Sequence, residues 1–583
     1  MRSQRSSTEL RAFRPAVWVS LALGWWLGAC ASPPPPVEPA DLVLRNGRLV
    51  TMDSSQPEAQ ALAARDGRIV FVGTDVDAAR HIGPATRTID LQGRLAIPGF
   101  IEGHGHFAGL GESRLALDLT GATSWPEIVQ AVAAAATRAR PGQWIAGRGW
   151  HQDKWTATPQ PNVDGFPTHA SLDAVSRDNP VVLTHASGHG VFVNARALAL
   201  SGVTRATRNP PGGDILKDAR GEPAGFLSEN AALLVKRGAG EPEPTADEAA
   251  MRLRETLRLA DAEAIAKGVT SFQDAGEGFD ALDAIRAAVD RGDLRVRLWV
   301  MVRGSIAELE ANVDRYRAVG YGGDMLTVRA IKVLADGAMG SRGAWLLEPY
   351  ADKPGSVGLP RPSMETLPQV ARLAIEKNYQ LAVHAIGDRA NREVLNVYEA
   401  AFKDAGRRGA DLRWRIEHAQ QLNAADIPRF GALGVIASMQ PVHATSDGGW
   451  VGDRIGPVRV EEGAYVWRKL LASGAALAAG TDVPVEDMDP IANFHAAVTR
   501  RLADGRVFTG GQRLTRMEAL RALTLGNAFA AFEEPIKGSL TAGKLADVTV
   551  LSKDIMRVPE DEIRATRVVY TIVGGQVRYV ATR

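Results

Sequence analysis

Pro98-Gly99-Phe100-Ile101-Glu102-Gly103-His104-Gly105-His106 closes an apolar run that begins at Leu95. On an extended strand, residues i and i+2 face the same way. His104 and His106 therefore present two imidazoles on one side of a strand end, where together they can grip one metal ion. The glycines around them let a ligand approach the backbone. A single His-x-His also fits a turn-rich strand end with two solvated histidines. Its meaning depends on whether other strands end in the same way.

Moving outward, eight apolar stretches read as strands: 95–104, 268–274, 294–302, 325–334, 380–386, 412–418, 434–440 and 476–482. Helical patterns fall between most of them, at Ala249 to Ala266, Met364 to Lys377, Asn391 to Ala405 and Ala424 to Leu433. Alternating β and α with eight strands predicts an α/β fold, a TIM-like (β/α)8 barrel. The gap after the first strand is too long for one helix. Residues from about 107 to 267 are expected to form an insertion with its own strands, such as Trp144-Ile145-Ala146 and Val181-Val182-Leu183. Segments inserted after a barrel strand lie on the active-site face, so this one is expected to help build the pocket.

The two ends of the chain look alike. Residues 41–73 and 538–580 are short β-rich pieces, with Asn46-Gly47 and Asp66-Gly67 as turn signals in the first. Neither end holds enough apolar residues for a core of its own. Together, 41–94 and 533–583 are expected to make one small β-sandwich around a barrel domain of 95–532.

Polar groups recur at the ends of the strand candidates. Lys332 lies in the fourth, His384 ends the fifth, His418 ends the sixth within Ile416-Glu417-His418, and Asp482 ends the eighth within Gly480-Thr481-Asp482. Each has a bland reading alone: a bonded histidine, a surface lysine, a turn before a proline. In a barrel, however, strand C-termini converge on one mouth, where active sites are assembled from several strands. Four imidazoles and a carboxylate placed there predict a metal site.

With these motifs the chain resembles the amidohydrolase superfamily, in the family 3 branch that includes N-substituted formamide deformylases. The resemblance spans about residues 41 to 580. It rests on Pro-Gly-Phe-Ile-x-x-His-x-His at 98–106, Gly-x-Gly-Trp at 147–150, and Ser-Gly-His-Gly-x-x-x-Asn at 187–194. Gly-Val-Thr-Ser at 268–271, Ile-Lys-x-x-x-Asp-Gly at 331–337, Ile-Glu-His at 416–418, Gly-Thr-Asp at 480–482 and Gly-x-Leu-x-x-Gly-Lys-x-Ala-Asp at 538–547 complete the set. One departure is visible: relatives usually carry Asp-Ser or Asp-Gly where this chain has Glu102-Gly103.

The resemblance implies two zinc ions. His104, His106 and Asp482 would hold the more buried ion and His384 and His418 the second, with Lys332 bridging as a carboxylated lysine. An ammonium has only donors and repels a dication, whereas a carbamate supplies two anionic oxygens. The alternative is a mononuclear site in which a cationic Lys332 meets substrate. Zinc lowers the pKa of bound water from about 15.7 to about 7. Asp482 is the carboxylate placed to move the proton, and so the catalytic candidate. The expected enzyme is a metal-dependent amidohydrolase using metal-activated hydroxide on a C–N bond next to a carbonyl (amide, N-formyl, carbamate or cyclic amide) of a small molecule. Alternatives are a lactonase, phosphotriesterase-like hydrolase or deaminase on the same scaffold and, more remotely, a non-catalytic metal-binding lipoprotein.

His189 and Asn194 lie in a segment shared with that branch and are expected to bind substrate, together with Trp150 and Arg342. His151 and Trp155 extend the aromatic wall, Asp336 orients Lys332 or meets substrate, and His443 is a candidate gatekeeper. His81, His169, His185 and His495 read as structural or surface residues.

The first residues are expected to be a leader rather than fold. Arg2, Arg5, Arg11 and Arg14 precede an apolar core from Val17 to Leu27 that is short for a membrane span. Leu27-Gly28-Ala29-Cys30 resembles a bacterial lipobox, and Cys30 is the chain's single cysteine. Residues 1–29 are therefore expected to be a lipoprotein-type signal peptide, Cys30 the lipidated residue, and 30–40 a Pro-rich tether. The expected location is the bacterial cell envelope, lipid-anchored, facing the periplasm or in the outer membrane; a soluble periplasmic or secreted protein is the alternative. With one cysteine there is no intrachain disulfide. The 583 residues carry 68 basic and 67 acidic side chains, and no basic patch interleaved with aromatics points to nucleic acid. Relatives are often dimers, so a homodimer is carried as an expectation.

Overall fold

The structure, a computed structural model, describes residues 37–241 and 245–582. The expected leader and Cys30 lie outside these residues. Among the described residues no helix is long and apolar enough to cross a membrane.

Eight strands form the centre: β1 (Phe100–Gly105), β2 (Val269–Glu277), β3 (Arg297–Val302), β4 (Leu326–Leu334), β5 (Gln380–Ala385), β6 (Arg415–His418), β7 (Ile436–Met439) and β8 (Leu477–Ala479). They pair in chain order, each parallel to the next, as the barrel reading requires. The seam between β8 and β1 is closed by side-chain and loop bonds. Asn527 accepts from Ala479 N (2.9 Å) and donates to Ala479 O (2.8 Å) and Ile101 O (2.6 Å). Asp482 N donates to His104 O and His106 N to Val483 O, both at 2.7 Å. The period of two decides what fills the barrel. Ala275, Trp299, Met301, Ala330 and Ala382 pack together inside, and Lys332 and His384 share that parity two residues further along their strands.

The outer helices have readable causes. Thr245 starts Ala246–Ala266 with a capping box, its hydroxyl accepting from Glu248 N while Glu248 accepts from Thr245 N. Leu257, Ala260, Ala264 and Ile265 recur at helical spacing and are buried. Burying such a Leu or Ile contributes about 1.5–3 kcal/mol. On the same helix Asp261 accepts from Arg295 N (2.7 Å) and Val296 N (2.9 Å), tying it to the approach to β3.

Between β1 and Ala246–Ala266 the chain builds a separate six-stranded sheet, ordered 213–217, 223–229, 190–193, 181–185, 145–150 and 117–118. The chain ends build two further sheets, the first from the N-terminal end alone and the second from both ends. One is ordered Arg68–Gly73, Ala61–Arg65, Leu42–Arg45, Arg87–Asp90; the other joins Gln576–Val580, Val568–Val573, Val548–Leu551, Leu95–Pro98, Arg48–Val50 and Glu58–Ala59. Asp66-Gly67 turns a hairpin. Asn46-Gly47 instead carries the chain from one sheet to the other.

One strand reading is revised. Residues 95–104 are two strands, broken at Gly99. Leu95–Pro98 pairs antiparallel with Val548–Leu551 of the chain's far end, and only Phe100–Gly105 enters the barrel. A Cβ at Gly99 would lie 2.1 Å from Thr270 Oγ1, so the turn between the two sheets needs a residue without a side chain. Asp547 anchors the same junction: it forms a bidentate pair with Arg297 of β3 at 2.8 and 3.1 Å, both side chains buried.

Candidate metal centre

The residues expected at the barrel mouth meet there. His104 Nε2 and His106 Nε2 lie 3.4 and 3.2 Å from Asp482 Oδ1. Ligand atoms of His104, His418 and Asp482 all fall within 4.8 Å of one another. The His384 and His418 rings are 4.4 Å apart between centroids and those of His104 and His418 4.9 Å. Local backbone aims two of these groups. His418 ends β6 at φ 75° and Asp482 follows β8 at φ 60°. Left-handed turns at non-glycine residues are uncommon and concentrate at functional sites.

The atoms facing one another have little else to bind. His104 Nε2, His384 Nε2, His418 Nδ1 and Asp482 Oδ1 are buried without a hydrogen-bond partner among the described residues. Leaving such a group unsatisfied costs about 1–3 kcal/mol each. Four orphans converging on one space fit cations held by imidazole and carboxylate, a donor set suited to zinc. Burial drives the His384 and His418 imidazoles well below their usual range, toward the neutral form that ligates. Burial opposes the Asp482 carboxylate, but the His104 and His106 rings outweigh it and keep it ionised. Lys332 is buried in the same group, its ammonium pushed down to about 8 mainly by burial.

Behind these residues stands a layer of carboxylates. Glu417 Oε2 meets His104 Nδ1, leaving Nε2 for the mouth. Glu417 also pairs with buried Arg415 at 2.7 Å. Glu102 spans the seam. It accepts from His104 N (3.2 Å), Thr481 N (2.6 Å) and Thr481 Oγ1 (3.0 Å), and burial pushes its pKa up to about 7. A Cβ at Gly480 would sit 2.3 Å from His104 N and 2.4 Å from Glu102 Oε1, so the close approach of β1 to the β8 loop needs glycine there. Asp336 accepts from Trp345 N, Ile386 N and Gly387 N at 2.8–3.0 Å. It fastens the loops after β4 and β5 rather than touching Lys332.

The centre opens into a cavity whose wall includes His151, His189, His443 and Trp450. His443 stacks on His418 with centroids 6.1 Å apart. His189 comes from the insertion, its ring 5.4 Å from that of His384.

Three expected substrate contacts are engaged elsewhere. Trp150 is fully buried, donates to Leu183 O (2.9 Å) and packs on Trp155, Phe192 and Phe226. Asn194 caps helix Ala195–Ser201 and bonds Val181 N, Ser176 Oγ and Asn179 O, which uses its whole amide. Arg342 turns to Asp352 in a bidentate pair at 3.2 and 2.8 Å. Of the histidines read as structural, His185 bonds Ser187 Oγ and Gln152 Oε1 and His169 bonds Asp173.

The sequence reading missed Glu417, Arg415 and Glu229. Glu417 stood inside the Ile-Glu-His motif, where strand alternation turns it into the barrel beside Arg415. Glu229 ends a strand of the insertion and carried no motif.

Comparison with known proteins agrees with this geometry. The sequence profile of the Amidohydrolase family matches residues 87–579. The putative amidohydrolase YtcJ of Bacillus subtilis is 32% identical over 92% of this chain and 99% of its own length. The N-substituted formamide deformylase of Arthrobacter pascens is 28% identical over 93% of this chain and 99% of its own. A solved structure of an uncharacterized metal-dependent hydrolase from Pyrococcus horikoshii superposes with a TM-score of 0.71 at 26% identity, covering 89% of this chain and 99% of that one.

Proposed function

The chain belongs to the amidohydrolase family, and we propose that it hydrolyses a C–N bond next to a carbonyl in a small-molecule amide, N-formyl compound, carbamate or cyclic amide. The observation that carries this reading is the convergence of four partnerless buried ligand atoms, from His104, His384, His418 and Asp482, the last three of which line an open cavity. His104, His106 and Asp482 would hold one zinc ion, His384 and His418 a second, and Lys332, carboxylated on Nζ, would bridge them. Burial disfavours the Lys332 ammonium and favours the neutral amine that reacts with CO2. When bound, the metal acidifies a water and polarises the carbonyl.

The chain's own residues do the rest. Asp482 takes the proton released as water adds to the carbonyl and returns it to the departing nitrogen. Glu417 holds the His104 ring in place, and Glu102 holds β1 and the β8 loop together so that His104 and Asp482 keep their spacing. His189 and His443 line the space for substrate. We also propose that the leader and a lipid on Cys30 would hold the enzyme at the cell envelope. Cys30→Ser would move it from the membrane fraction to the soluble fraction, and an unchanged distribution would remove the anchor from the proposal.

The test is a hydrolysis screen of N-acyl, N-formyl, carbamate and lactone substrates with the zinc-loaded wild type and Asp482→Asn in parallel. Turnover of amide-type substrates, lowered about 10²–10⁴-fold in the variant, is expected. Turnover of lactones alone, or an Asp482→Asn enzyme as fast as wild type, would overturn the reading.

A further inference from the structure

Glu229 is a buried carboxylate held on every side outside the ligand cluster. It ends the insertion strand Pro223–Glu229 and reaches across to the barrel mouth, where it is 5% exposed. Its backbone sits at φ 51°, ψ −126°, a conformation L-residues seldom adopt and keep only when their surroundings over-determine it. Two glycines of the loop after β4 shape its bed: a Cβ at Gly337 or at Gly343 would lie 2.3 Å from Glu229 Oε1. Ser341 Oγ donates to Oε1 (3.1 Å), and Arg361 Nη2 (2.6 Å) and His189 Nδ1 (2.9 Å) meet Oε2.

The arrangement dictates which nitrogen of His189 is protonated. A carboxylate already neutralised by Arg361 accepts a proton donor, so Nδ1 carries the hydrogen and Nε2 keeps its lone pair. Nε2 has no protein partner among the described residues, and the ring lines the cavity beside His384. We propose that Glu229 is a positioning residue that fixes His189 as the Nδ1–H imidazole, so that His189 Nε2 accepts a hydrogen bond from a donor on the substrate atom attached to the scissile carbonyl. This rests on the amide-hydrolase reading and adds to it a requirement: the leaving nitrogen must still carry a hydrogen.

Arg361 supplies the contrast. Its Nη2 already stands 3.4 Å from His189 Nδ1. In Glu229→Ala, that guanidinium becomes the nearest donor to Nδ1 and forces the hydrogen onto Nε2. Glu229→Gln keeps an acceptor oxygen for both neighbours and should preserve the wild-type tautomer.

The test uses the zinc-loaded full chain with ¹⁵N-labelled histidine. The His189 signal, assigned by its loss in His189→Asn, should report the Nδ1–H tautomer in wild type and in Glu229→Gln, and the Nε2–H tautomer in Glu229→Ala. In parallel, 4-nitroformanilide and its N-methyl counterpart are compared. Wild type should cleave the N–H anilide at least about tenfold faster in kcat/KM, as expected when a buried acceptor loses its donor, and Glu229→Ala should lose that preference. The wild-type comparison of the two anilides needs no variant to fold. A wild-type Nε2–H tautomer, the same tautomer in all three proteins, or similar rates on both anilides overturns the inference. Equal cleavage of both anilides leaves the hydrolase reading standing. A protein that opens lactones and cleaves neither anilide loses both.

Discussion

Glu417 and His104 stand 313 residues apart in sequence and share a hydrogen bond inside the barrel. The bond is one end of a polar chain through the barrel interior. Arg415 pairs with Glu417 and donates to Gln273 Oε1 (2.6 Å), Gly103 O (2.8 Å) and Ser438 Oγ (2.8 Å). Gln273 in turn donates to Asn527 O (2.7 Å), next to the seam. A carboxylate that fixes a ligating imidazole sets its tautomer and its aim. Here that carboxylate is itself fixed by a guanidinium with no access to solvent.

Glu417→Gln should therefore weaken the centre and the fold together. Losing the charge leaves Arg415 buried and uncompensated, at a cost of about 3–5 kcal/mol. It should also lower metal affinity about 10–100-fold. Metal content after dialysis against a weak chelator, with urea unfolding of the same samples, measures both. A variant with wild-type metal retention would show that His104 needs no carboxylate behind it.

Removing metal should lower stability as well as activity. The partnerless atoms of His104, His384, His418 and Asp482 lose their partner in the metal-free protein. Ligand binding to the native state alone stabilises it by about 4.1 kcal/mol at a thousandfold excess over Kd. Calorimetry of chelator-treated protein, with and without added zinc, should show Tm rising on zinc addition. An unchanged Tm would count against the ligand set.

Asp547→Asn tests the junction between the chain's far end and the barrel. The variant strands Arg297, 5% exposed, without its charge partner, and is expected to cost about 3–5 kcal/mol. Activity of the protein that remains folded should be unaffected, since the pair lies away from the cavity. A urea midpoint within error of wild type would show that the pair adds little.

Acid lability should have a contribution from Glu518. Its hydrogen bonds from Arg468, then from Thr515, outweigh burial and lower its pKa to about 2. The folded value lies below the unfolded one, so the stabilisation is complete above about pH 4.5 and is lost as pH falls toward about 2. The side chain is one-third exposed, and solvent screening keeps the effect small. Urea midpoints of wild type and Glu518→Gln should differ near pH 5 and draw together as pH falls toward about 2. A constant gap would assign the difference to something other than the charge.

The sequence by itself determined the barrel, four of its helices and the residues gathered at its mouth. Those signals are local: apolar runs with a polar group at the end, and helical spacing between them. The helix expected at Ala249 to Ala266 runs from Ala246 to Ala266, and each of the eight strand candidates overlaps a barrel strand. What tertiary structure decided were relations that no local pattern carries. Residues 95–104 look continuous, yet only the approach of Thr270 breaks them at Gly99 and sends the first half to Val548–Leu551. Arg342, Asn194 and Trp150 look available, yet Asp352, a helix N-terminus and an aromatic cluster claim them. Glu229 looks like any strand-end acid until the loop after β4 folds around it. In each case a side chain's role is set by which neighbour satisfies its charge, hydrogen bond or apolar surface at least cost, and that neighbour comes from elsewhere in the chain.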